Sequence, residues 1–121
     1  MPHCIFEYSA NIADDSDWHK IMMKVHETLI STGQFVTMDI KSRVVRHENF
    51  VIGDGENNQS FVTLDIRILD GRSDDIKNEI TKAALEVLVD EFPKSLAEQK
   101  CSITVQISEI HRASYQRHVS Y

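Results

Sequence analysis

Four residues in this chain could do chemistry together: Pro2, Lys41, Arg43 and Arg72. If the initiator Met1 is removed, the ring nitrogen of Pro2 becomes a free secondary amine that, left unprotonated, accepts a proton. A peptide-bonded proline nitrogen cannot, because its lone pair is delocalised into the amide. The chain as written begins with Met1, and a retained Met1 would abolish this base. A proline here also suits the plain start of an edge strand. Lys41 and Arg43 alternate onto one face of an expected strand. Arg72 follows Asp70-Gly71 and precedes Ser73, which places its guanidinium near a helix N-terminus, where backbone N–H groups already favour an anion. A base with three cations suits proton transfer on a dicarboxylate. Taken singly, Lys41 and Arg43 also fit a solvated strand face, and Arg72 an ordinary loop.

The frame that must position these residues is small. There are 121 residues, 41% of them hydrophobic, which suits one compact domain over 1–121. The formal net charge of −6 argues against nucleic acid and anionic membranes as partners. An acidic substrate then requires a local cationic cluster. Cys4 and Cys101 lie far apart in apolar, strand-like stretches and read as free, buried thiols. The six histidines show no zinc-ligand spacing, and no metal is expected. Neither a transmembrane run nor a signal-peptide pattern is present, so the expected location is the cytoplasm.

Alternation predicts a strand over Cys4–Tyr8. Asp15 or Ser16 can cap a helix carrying the stripe Trp18, Ile21, Met22, Val25 and Leu29, with Asp17 in its first turn and Gly33 as its left-handed terminator. Phe35–Arg46 reads as the second strand, with Val36, Met38, Ile40 and Val44 on one face and Ser42 interrupting it. Gly53-Asp54-Gly55 and the polar residues to Ser60 form a turn or loop. Phe61–Leu69 is a third strand, with Val62, Leu64, Ile66 and Ile68 inward. Ser73 caps a second helix, whose stripe runs from Ile76 to Phe92, with Pro93 at its frayed end. Cys101–Ile110 is the fourth strand, and a polar tail, 112–121, packs on another surface or is loose.

Strand, helix, strand thus occurs twice, over about 2–57 and 58–111. The expected class is α/β (α+β): two βαβ repeats with right-handed crossovers sharing one four-stranded sheet, both helices on one face. The other face would carry Thr37, Lys41, Arg43, Thr63, Asp65, Arg67, Thr104, Gln106 and Ser108. Such a semi-polar face suits either solvent or a subunit interface.

Read as a whole, the chain resembles the 5-carboxymethyl-2-hydroxymuconate isomerase family of the tautomerase superfamily. The matching stretches are Pro2-His3, Glu7-x-Ser9-x-Asn11-Ile12, Leu29-x-x-Thr32-Gly33-x-Phe35, Ile40-Lys41-Ser42-Arg43-Val44, Phe61-Val62, Gly71-Arg72-Ser73 and Ile107-x-Glu109-Ile110-His111. It is their order and spacing that are specific. The resemblance implies a tautomerase-like homotrimer and an isomerase of aromatic catabolism. It implies an N-terminal proline base, here Pro2, and arginines that grip a polycarboxylate, and it requires no cofactor. Arg72 matches a family arginine, and Arg43 the second basic residue of the strand-two motif. Lys41 departs from the family form, which has arginine there; it keeps the charge but loses the planar two-pronged grip. The tail after His111 also departs. Burial and Arg72 or Lys41 would lower the amine pKa from its reference of ~7.7–8.0. Two alternatives stay open: a tautomerase for a phenylpyruvate-like or oxalocrotonate-like substrate, and a non-enzymatic ferredoxin-like binding module.

Overall fold

A computed structural model describes residues 1–121. The elements are β1 (His3–Ser9), α1 (Trp18–Ser31), β2 (Lys41–His47), β3 (Gln59–Leu69), α2 (Asp74–Glu91), α3 (Pro93–Glu98) and β4 (Lys100–Ile110). The sheet order is β2-β1-β3-β4. Each half is a parallel pair, β1 with β2 and β3 with β4, and the halves meet in antiparallel β1 and β3. The expected double βαβ arrangement is therefore present. Because β1 runs inside the sheet, Pro2 precedes an interior strand rather than an edge strand, a position where its missing N–H costs nothing.

Ile21, Val25 and Leu29 of α1 and Ile80, Ala84 and Leu88 of α2 are buried in one cluster with Cys4, Phe6, Val62, Leu64, Ile66 and Ile68. Both helices therefore cover the same sheet face, which the period-two strands and period-3.6 helices together dictate. Trp18 bridges α1 to the sheet and to the end of α2, lying 4.8 Å from Tyr8, 5.9 Å from Phe6 and 5.6 Å from Phe92.

Local chemistry explains the ends of the elements and several departures from expectation. The N-cap of α1 is Asp17, not Asp15 or Ser16, and its carboxylate accepts from the Lys20 N–H at 3.1 Å. Gly33 does close the helix with φ +78°. Ser73 caps α2, accepting from the Ile76 N–H at 3.3 Å. Pro93 does not fray α2 but begins α3, the position where a proline's missing N–H is harmless. Asp14 caps that turn, accepting from the Lys94 and Ser95 N–H groups at 3.0 and 2.8 Å.

The second strand begins at Lys41, not Phe35. Thr37–Asp39 form a 3-10 turn closed by Asp39 N–H to Val36 C=O (3.0 Å) and Ile40 N–H to Thr37 C=O (3.2 Å). Val36 and Met38 are consequently 65% and 66% exposed, and Thr37 does not belong to the sheet face. The alternation over this stretch comes from a turn that brings the chain back to the sheet, not from a strand. Ser42 faces the helices because it has a partner there, His26 Nε2 at 2.6 Å.

Candidate active site

The β1–β2 pairing sets His3 beside Lys41, and the β1–β3 pairing sets His3 beside Arg67. One end of the sheet therefore gathers the starts of β1 and β2 and the finishes of β3 and β4. All four residues singled out from the sequence lie at or near this end, Lys41 and Arg43 on β2, Pro2 just before β1 and Arg72 between β3 and α2.

Pro2 is fully buried, and its carbonyl accepts the Lys41 N–H at 3.1 Å. That backbone bond ties the N-terminus to the start of β2. Lys41 Nζ turns back to donate to the Asp39 carbonyl at 3.3 Å. Arg43 lies on the same strand and face, farther along the sheet, where Nη1 donates to His3 Nδ1 at 3.0 Å. Burial, then Arg43, the N-terminus, Lys41 and Arg67, hold the His3 pKa below its ordinary value, so the imidazole stays neutral and can accept from the guanidinium.

Arg72 lies across the end, between the halves. Its Nε donates to Gln34 Oε1 and its Nη2 to the Gln34 carbonyl, both at 3.1 Å, and its Nη1 reaches the Leu69 carbonyl at 3.5 Å. The guanidinium lies 4.8 Å from the ring centroid of buried Phe35. Three of its five N–H groups are thus committed to the protein. Arg72 is a brace between the α1–β2 and β3–α2 connections as well as a cation, a role its loop position did not suggest.

Sequence reasoning missed four further groups at this end: His3, Asp39, Arg112 and Arg117. Asp39 accepts from Arg117 Nη2 at 3.0 Å, and the Asp70 carbonyl accepts from Arg112 Nε and Nη2 at 3.3 and 3.0 Å. The tail thus packs on its own chain. Arg112 was findable, because β3 and β4 are parallel and Arg112 follows β4 as Arg72 follows β3. Nothing in the local pattern marks Arg117.

The N-terminal amine, carried here by Met1, is held below its ordinary pKa. Burial is the main cause; Lys41 and Arg117 act in the same direction, and Asp39 opposes them. Around the Met1 amine the two cations that act are Lys41 and Arg117. Cations around a poorly hydrated amine can keep a base neutral and hold carboxylates beside it. Two concavities of the single chain lie elsewhere. One of about 240 Å³ is lined by Asn11, Phe50–Ile52 and Gly55–Gln59, and another of about 240 Å³ by Glu7, Thr63–Asp65, Thr104 and Gln106 on the open sheet face.

The sequence profile of the 5-carboxymethyl-2-hydroxymuconate isomerase family matches residues 2–120. The chain is 29% identical to a 5-carboxymethyl-2-hydroxymuconate Delta-isomerase of Escherichia coli over 92% of its own length and 88% of that protein's. A crystal structure of a 5-carboxymethyl-2-hydroxymuconate isomerase from Deinococcus radiodurans R1 superposes with a TM-score of 0.89 at 27% identity, covering 97% of this chain and 88% of that one. The fold is shared with a fused 4-OT symmetric trimer, with a TM-score of 0.74 at 9% identity over 98% of this chain and 91% of that one. With its double βαβ sheet and a profile match along nearly its whole length, the chain belongs to the 5-carboxymethyl-2-hydroxymuconate isomerase family.

Proposed function

We propose that this enzyme moves a proton within an unsaturated hydroxy-carboxylate such as 5-carboxymethyl-2-hydroxymuconate, in the cytoplasmic catabolism of aromatic compounds. The Pro2 amine, freed by removal of Met1, is the general base. It takes a proton from the enol or a conjugated position, the π electrons shift along the chain of double bonds, and the amine returns the proton to another carbon. Atoms and electrons balance without oxidant, reductant or cofactor. Lys41, Arg43 and Arg72 bind the carboxylates and stabilise the dienolate-like charge that develops during transfer. An amine pKa lowered by burial and neighbouring cations leaves more of the base uncharged at neutral pH.

The observation that carries this reading is the Lys41 N–H to Pro2 C=O bond of 3.1 Å, which puts the cationic start of β2 against the chain's first residues. The active form is a homotrimer. One feature supports assembly: the open sheet face carries Ile5, Val45 and Phe61 among its polar residues.

The test is an absorbance assay with 5-carboxymethyl-2-hydroxymuconate, comparing the natural sequence with Pro2→Ala. The expected loss in turnover is about 10²–10⁴-fold. Equal rates, or an intact mass showing Met1 fully retained in protein from its native host, would refute the mechanism. Light scattering is expected to give three copies, and a monomer at micromolar concentration would overturn the shared site. Lys41 favours one second reading, an enol with fewer or differently placed carboxylates, such as a phenylpyruvate-like or oxalocrotonate-like substrate. Faster turnover of those enols would select it.

A further inference from the structure

We propose that Arg117, carried into the site by the C-terminal tail, is a substrate-carboxylate ligand that supplies the two-pronged grip Lys41 lacks. The inference rests on the polycarboxylate reading above and deepens it. Lys41 and Arg117 converge on one residue: Lys41 Nζ lies 3.3 Å from the Asp39 carbonyl, and Arg117 Nη2 lies 3.0 Å from the Asp39 carboxylate. The turn holding Asp39 leads directly into Lys41, whose N–H is bonded to Pro2. The tail therefore delivers a guanidinium beside the first basic position of the strand-two motif.

The other arginines at this end are also held by the protein. Arg43 is turned onto His3, Arg72 has three N–H groups in the protein, and Arg112 is closed onto Asp70. Arg117 pairs with Asp39 and lies against Tyr121 at the end of the tail, and its side chain is 40% exposed. A planar fork binds a carboxylate through two parallel hydrogen bonds, whereas an ammonium acts as a point charge. Asp39 presents to Arg117 the same group a substrate would, so it parks the guanidinium in a carboxylate-binding pose. A substrate carboxylate would exchange with Asp39 or share the fork with it.

The experiment compares Arg117→Gln, Lys41→Arg and the double variant, first by titration calorimetry with muconate, a stable dicarboxylate that needs no turnover. Arg117→Gln is expected to weaken muconate binding about tenfold to a hundredfold, the scale of a lost charge-assisted hydrogen bond or two. Lys41→Arg in the same chain is expected to recover most of that loss, because the fork returns from β2. A tail tether would give a different pattern, since no arginine at 41 can re-anchor the tail. Unchanged binding in Arg117→Gln, failure of the double variant to recover, or absence of muconate binding to the natural sequence would each overturn the proposal. In the absorbance assay Arg117→Gln is expected to raise KM while leaving kcat within about threefold. Loss of turnover confined to Pro2→Ala, with KM unmoved by Arg117→Gln, would sink this inference and leave the isomerase mechanism standing.

Discussion

Arg72→Ala separates bracing from substrate binding at the same residue. The guanidinium makes two hydrogen bonds of 3.1 Å to Gln34 and stacks 4.8 Å from the Phe35 centroid. A net hydrogen bond is worth ~0.5–1.5 kcal/mol and a partly exposed cation–π contact ~0.5–1 kcal/mol. Arg72 is only half-buried, so its freed acceptors recover water and the low half of each range applies. The expected cost is about 2 kcal/mol. Gln34→Ala removes only the Oε1 acceptor and leaves the backbone carbonyl, so its expected cost is about 0.5–1 kcal/mol. With a urea slope of about 2 kcal/mol/M, Arg72→Ala should lower the unfolding midpoint by about 1 M. Both variants must be compared at one protein concentration, because assembly shifts apparent stability. KM should rise in Arg72→Ala well beyond its rise in Gln34→Ala, since only the former deletes a cation. A midpoint for Arg72→Ala equal to that of the natural sequence would refute the bracing role.

Other perturbations read the site's electrostatics and the core. The N-terminal amine is held below its ordinary pKa by burial, then by Lys41 and Arg117, against Asp39. The Pro2 base of the proposed mechanism works uncharged, so kcat/KM should fall as pH drops through its own pKa. Asp39→Asn removes the opposing charge and should move this acid limb to lower pH; Lys41→Met should move it higher. Displacements of the reverse sign would sink the assignment. Burial pushes the Cys4 thiol up to about 11, and Cys4 is 0% exposed. A thiol reagent at pH 8 should therefore label at most Cys101 in the native protein and both thiols only after unfolding. Prompt native labelling of Cys4 would show that the sheet opens there.

Much of the fold was legible in the residues. Alternation gave Val62, Leu64, Ile66 and Ile68 as one buried row, and helical spacing gave Ile21, Val25 and Leu29; all seven are at most 1% exposed. Ser73 and Gly33 marked helix ends because capping and a left-handed residue are chosen within one turn of chain. Periodicity misled where several conformations share it: Val36 and Met38 alternate with polar residues but sit in a 3-10 turn.

The sequence by itself determined the double βαβ frame, the family, and the candidates Pro2, Lys41, Arg43 and Arg72, since these depend on local pattern and on order along the chain. Only the tertiary structure decided what each cation holds. Arg43 meets His3 across 40 residues, Arg72 meets Gln34 across 38, and Arg117 meets Asp39 across 78. Contacts at such separations leave no period in the chain. They arise because strand pairing brings four strand ends to one place and the tail folds back onto it, and the charges then pair with whatever lies within reach.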